Sequence, residues 1–219
     1  MMFKPEGVIF DLDGTLIDSM GMWTVVDQIY LKSKGREPKP DLASVLKKMS
    51  MNQTIRHFQE EYQIDEPTEK IISDIHELAH EAYRSQIPLK EGALSLLDFF
   101  RREQTKMCIA TANHRPLAEA AILRLGLGEY MSHLLTCDEA GFSKEHPHIF
   151  HQALDLLQTP LENTFVFEDS LHAVETAKAA GFFVVAVYDP SAEEEAPQIK
   201  QIANLYLKSL LDWPGLSNS

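Results

Sequence analysis

The chain has 219 residues, 44% hydrophobic and 24% charged, the balance of a globular protein with core enough for one large domain or two small ones. A net charge of −13 argues against nucleic acid or an anionic membrane as partner. It leaves room for a small anionic ligand, because charge is screened beyond ~8 Å at physiological salt and a few local cations can govern a pocket.

Residues 1–6 carry no apolar signal segment and no apolar run reaches the ~18 residues that span a bilayer. A cytoplasmic protein is expected, as a monomer or weak dimer. The first predicted strand, 7–10 (Gly-Val-Ile-Phe), is apolar and β-branched and reads as buried. From about 20 to 89 the pattern turns helical, with no convincing strand. Val25, Val26, Ile29 and Tyr30 are expected to share one face, and Ile71, Ile72, Ile75, Leu78 and Ala79 another, with Gly35 ending the first of these helices. Strand patterns return at 106–110, 164–167 and 182–188, with a weaker one at 133–137. Helical patterns lie between them: 116–125 stops at Gly126, 148–157 follows Pro147, and 171–180 stops at Gly181. Cys108 and Cys137 sit in apolar runs, which suits reduced, buried thiols. Glu193, Glu194 and Glu195 read as a solvated loop.

This alternation predicts an α/β fold, a doubly wound parallel sheet built from 1–16 and 90–219, with an all-helical insertion over 17–89. In such a sheet ligands bind beyond the carboxyl ends of the strands. Those ends carry Asp11 and Asp13, then Thr111, Ala112 and Asn113, then Ser143 and Lys144 after the weak strand, then Glu168, Asp169 and Ser170. Two carboxylates side by side repel unless a cation or a chemical task compensates. Four strand ends bearing acids, a hydroxyl and one lysine would meet in one crevice.

On these residues the chain resembles the haloacid dehalogenase-like superfamily, in the branch with a helical cap that includes phosphoglycolate phosphatase-like enzymes and β-phosphoglucomutases. Asp11-Leu12-Asp13-Gly14-Thr15 matches its first motif, Thr111 its second, Lys144 its third, and Glu168-Asp169 its fourth. The resemblance implies that Asp11 attacks phosphorus to form an aspartyl-phosphate, and that Asp13 serves as general acid and base. It also implies Mg²⁺ held by Asp11, by the main-chain carbonyl of Asp13 and by Asp169, with Glu168 nearby or through water. Thr111 and the N–H of Ala112 would bind phosphoryl oxygens, and Lys144 would offset charge. The substrate implied is a small phosphorylated metabolite, a sugar phosphate or phospho-acid.

Glu145 and His146 replace the first proline and its neighbour in the family's Lys-Pro-x-Pro pattern, which predicts a less rigid loop. His146, His148 and His151 invite a metal reading, but hard Mg²⁺ prefers oxygens. Within the insertion, Trp23, Lys47, Lys48 and Met51 are candidate substrate contacts, set against core packing for the first and last and a solvated lysine pair for the other two. The rival readings are a β-phosphoglucomutase-like phosphomutase and a non-catalytic regulatory protein on the same fold. The Asp-Gly-Thr form, and Met51 where mutases tend to carry an arginine, tip the balance toward hydrolysis.

Overall fold

A computed structural model describes residues 4–46, 49 and 51–216, with backbone only at 23, 24, 51 and 52. The chain divides into two compact units, one of residues 1–20 and 87–219, the other of residues 21–86.

The first unit is a six-stranded parallel sheet: β1 (Gly7–Phe10), β2 (Lys106–Thr111), β3 (His133–Thr136), β4 (Thr164–Glu168), β5 (Phe183–Val187) and β6 (Leu205–Leu207), in the order β3-β2-β1-β4-β5-β6. The helices come in chain order: α1 (Met20–Ser33), α2 (Leu42–Leu46), α3 (Met51–Glu61), α4 (Thr68–Ser85), α5 (Ala93–Arg102), α6 (Arg115–Arg124), α7 (Cys137–Ala140), α8 (His148–Leu157), α9 (Leu171–Ala179) and α10 (Ala196–Ile202). The doubly wound parallel sheet expected from strand-helix alternation is present, with one addition. β6 has three residues and lies at the sheet edge, paired with β5, too short to stand out as a hydrophobic run. The strand expected at 182–188 is also shorter at both ends.

The central strands have no exposed face, which is why they read as unbroken apolar runs. On one side, Ile9, Cys108, Ala110, Val166, Val184 and Ala186 join α8 and α9 in one core. The small Ala173 and Ala177 of α9 are fully buried there. On the other, Phe10, Phe100, Phe167 and Trp213 form an aromatic cluster with centroid separations of 4.9 Å for Phe10–Phe167 and 5.3 Å for Phe100–Trp213. Both cysteines are free. Cys108 is buried, which pushes its thiol up to about 12, whereas Cys137 is half-buried.

The second unit has its own core, including Val26, Tyr30, Leu31, Phe58, Ile71 and Ile75. One expectation fails here. Val26 and Tyr30 are buried, but Val25 and Ile29 are 47% and 42% exposed. Consecutive residues are offset by 100° around a helix, so the four span two faces and the core selects one. On α4, Ile71, Ile75 and Ala79 are buried and Ile72 and Leu78 partly so. Gly35, at φ 69°, closes α1: its N–H donates to Lys32 O, and that of Arg36 to Leu31 O, both at 2.9 Å.

The two crossings between units are tied together within the first unit. Asp18 N–H donates to Pro88 O and Lys90 N–H to Leu16 O, each at 2.9 Å. Lys90 Nζ lies 2.8 Å from Asp189 Oδ2 and donates to Tyr188 O at 2.6 Å. Among the described residues, no helix is long and apolar enough to cross a membrane.

Candidate active site

Asp11 leaves the end of β1 with its N–H donating to Phe167 O at 2.9 Å, so the sheet ladder carries on through it and places its carboxylate beside the end of β4. Glu168 closes β4, and Asp169 follows. The carboxylates of Asp11, Glu168 and Asp169 are buried, with one oxygen from each lying within 4.8 Å of the others. Lys144, 3% exposed, reaches in from the loop after α7. Its ammonium donates to Asp11 Oδ1 and, at 2.6 Å, to Glu168 Oε1. Glu168 Oε2 accepts from Asp169 N, Ser170 N and Ser170 Oγ at 2.9, 3.2 and 3.1 Å. With both oxygens engaged, Glu168 is better placed to hold Lys144 and the turn than to give up an oxygen.

Three buried carboxylates against one ammonium leave excess negative charge. Burial, with Glu168 and Asp13 adding to it against the opposing pull of Lys144, pushes Asp11 up to about 8. Burial and the charges of Glu168, Asp11 and Asp189 push Asp169 well above the usual carboxylate range. Asp11 and Glu168 hold the Lys144 ammonium in its charged form against the cost of burial. An all-oxygen donor set with surplus negative charge fits a hard divalent cation. Gly14 borders this group. Its φ is +85°, and a Cβ there would stand 2.7 Å from Asp169 Cγ, so both backbone and space require glycine. Thr15 Oγ1 donates to Asp169 Oδ1 at 3.1 Å.

Asp13 has a different environment. Its carboxylate accepts from Ser19 Oγ at 2.6 Å and Asn113 Nδ2 at 3.0 Å. Thr111 is the last residue of β2, and its Oγ1 accepts from Asn113 N–H at 3.0 Å. An accepted bond on the hydroxyl oxygen leaves its proton free to donate elsewhere. Ala112 lines a depression of ≈ 430 Å³ with Cys137, Asp138, Gly141, Phe142 and Ser143.

The loop carrying Lys144 makes a backbone turn and ring contacts where the family's first proline is missing. His146 N–H donates to Ser143 O at 3.0 Å, closing a turn. Phe142 stacks on His148 at 4.3 Å and meets the edge of His146 at 5.4 Å. Ahead of it, α7 is capped by Thr136 and Glu139, each bonding the other's backbone N–H at 3.3 Å. That Thr-x-x-Glu pattern is readable in sequence, although α7 is not among the predicted elements.

The expected core residues Asp11, Asp13, Thr111, Lys144, Glu168 and Asp169 therefore all fall at strand ends or in the loop beside them. Sequence reasoning missed the roles of Ser19, Asn113 and Thr15, whose partners lie on other segments or depend on the turn after β1. Of the four candidates in the insertion, Lys47 and Lys48 lie outside the described residues. Trp23 and Met51 fall on α1 and α3, their side chains outside the described atoms.

The chain is similar to a phosphorylated carbohydrates phosphatase of Thermotoga maritima, with 27% identity over 80% of this chain and 82% of that protein. It is 27% identical to hexitol phosphatase A of Escherichia coli, over 94% of this chain and 91% of that one. A solved Thermotoga maritima structure provisionally designated β-phosphoglucomutase superposes with a TM-score of 0.84 and 25% identity, covering 97% of both chains. The family model for haloacid dehalogenase-like hydrolases matches residues 8–187. The sheet order, the acids at its strand ends and this match agree: the chain belongs to the haloacid dehalogenase-like hydrolases.

Proposed function

We propose that the chain is a Mg²⁺-dependent phosphatase of a small phosphorylated metabolite, a sugar phosphate or related phospho-acid, working through an aspartyl-phosphate on Asp11. The observation that carries this reading is the contrast between two aspartates two residues apart. Asp11 is buried against Lys144, Glu168 and Asp169; Asp13 accepts from the neutral side chains of Ser19 and Asn113. Unlike environments suit unlike tasks.

In this reading Asp11 attacks phosphorus as the ester P–O bond breaks, and Asp13 delivers a proton to the departing alkoxide. Asp13 then takes a proton from the water that attacks the aspartyl-phosphate, releasing phosphate and regenerating Asp11. Lys144 neutralises charge between nucleophile and phosphoryl group, while the Thr111 hydroxyl and Ala112 N–H hold phosphoryl oxygens. Asp11, Asp169 and the main-chain carbonyl of Asp13 would hold Mg²⁺, with Glu168 outside them. The cation would supply charge neutralisation to a carboxylate approaching a phosphate dianion. Residues 17–89 are assigned the role of a cap that selects the leaving group.

Two curated relatives named as phosphatases of phosphorylated sugars or sugar alcohols support hydrolysis. The phosphomutase reading keeps one specific support, the designation of the T. maritima structure. Turnover in ¹⁸O-water separates the two. Release of ¹⁸O-labelled phosphate at the rate of substrate loss, abolished by chelator, is expected. Interconversion of sugar 1- and 6-phosphates with little phosphate released would establish the mutase instead.

A further inference from the structure

Asn113 lies outside the family motifs and its side chain is engaged with them. It follows Thr111 by two residues and reaches Asp13, a hundred positions away in sequence. Its amide is oriented from both ends. Oδ1 accepts from His114 N–H at 2.8 Å, which leaves Nδ2 as the only side-chain donor, and Nδ2 donates to Asp13 Oδ2 at 3.0 Å. The opposite carboxylate oxygen, Oδ1, accepts from the hydroxyl of fully buried Ser19 at 2.6 Å. Asp13 is thus held at both oxygens, from the strand-end turn of β2 on one side and from the segment leaving β1 on the other.

A carboxyl on a short side chain at the start of a Gly-containing turn has two torsions to fix before its proton can meet a leaving oxygen. A group misaligned by about 1 Å can lose much of its catalytic value. We infer that Asn113 is a positioning residue, whose side-chain amide aims Asp13 at the ester oxygen it protonates. The inference rests on the acid–base role proposed for Asp13. Only the side chain is at issue, since the bond to Thr111 comes from the Asn113 backbone N–H and survives substitution.

The test compares two esters in kcat/KM, which reads phosphoryl transfer to Asp11 and not later hydrolysis. 4-Nitrophenolate departs without protonation, whereas a sugar alkoxide needs the proton. In Asn113→Ala, kcat/KM for a sugar phosphate should fall at least ~10-fold further than for 4-nitrophenyl phosphate, within the range general acid catalysis supplies. Asn113→Leu is the second variant. It is near-isosteric, loses the donor and adds no charge beside Asp13, and should show the same selective loss even if the alanine variant unfolds. Equal losses on both esters, or none, would overturn the positioning role. A parent enzyme that releases phosphate from neither ester would overturn the phosphatase reading beneath it, a failure visible before any variant is made.

Discussion

Asp11 and Asp13 are two residues apart and do not meet the same surroundings. Asp11 sits where negative charge exceeds positive, and its Lys144 partner is as deeply buried as itself. Asp11→Asn removes the attacking charge from a near-isosteric side chain. It should lower kcat/KM by ~10³-fold or more while leaving the melting temperature of the metal-free protein at pH 8 unchanged or higher, because surplus buried charge is relieved. Turnover by the folded variant would rule out Asp11 as nucleophile. Lys144→Met has the opposite structural consequence. It strips the ammonium from Asp11 and Glu168, and breaking a buried pair from one side costs about 3–5 kcal/mol. Urea unfolding at pH 8 measures it.

Among the elements, the turn after β1 is closely constrained. Leu16 N–H returns to Leu12 O and Gly14 N–H to Ile17 O, both at 2.9 Å, folding the segment back on itself. Gly14 at positive φ lets that turn pass against Asp169. Gly14→Ala adds a Cβ where the left-handed backbone costs roughly 1–2 kcal/mol, and the added atom must displace the Asp169 carboxylate. Phosphatase activity should fall steeply, with a higher Mg²⁺ requirement in titration. Parent-like Mg²⁺ dependence would show that Asp169 does not need its observed place.

For the whole molecule, the acid cluster links stability to pH and to cation. The folded pKa of Asp11, about 8, lies above its ordinary 3.8, and that of Asp169 is also raised. The native state therefore holds protons there that the unfolded chain has released, so the cluster's contribution to the stability of the metal-free protein falls as pH rises from about 4 to about 8. A cation competes with those protons. The stabilisation conferred by a fixed Mg²⁺ concentration should be larger at pH 8 than at pH 6 in thermal melts, and a Mg²⁺ effect that shrinks with pH would contradict the site. The second unit, 21–86, is held by its own core and by a polar network in which Lys34 Nζ donates to Glu66 at 2.7 Å and Asp74 at 2.9 Å. If this unit selects the substrate, alanine variants at Trp23, Lys47, Lys48 and Met51 should change the ranking of phosphate esters more than the rate on 4-nitrophenyl phosphate. An unchanged ranking in all four would place selectivity elsewhere.

Features that depend on neighbouring residues were readable in the chain itself. The strand at Gly7–Phe10 announces itself by an unbroken apolar run, Gly35 by its place after an amphipathic stretch, and Asp11 and Asp13 by two charges with no local reason to be adjacent. The parallel sheet followed from alternation, and its rule that ligands gather at strand ends brought Thr111, Lys144, Glu168 and Asp169 into consideration together. What required the folded chain depends on contacts between distant segments. β6 becomes a strand because β5 offers an edge; the choice of Val26 and Tyr30 over Val25 and Ile29 was made by what packs on α1. Asn113 meets Asp13 because β2 lies beside β1 in the sheet order, and Lys144 loses its water because α7 and the turn after it bring it over the end of β1. Hydrophobic periodicity encodes the face and length of an element, but hydrogen-bond partners a hundred residues apart are set by which strand lies beside which.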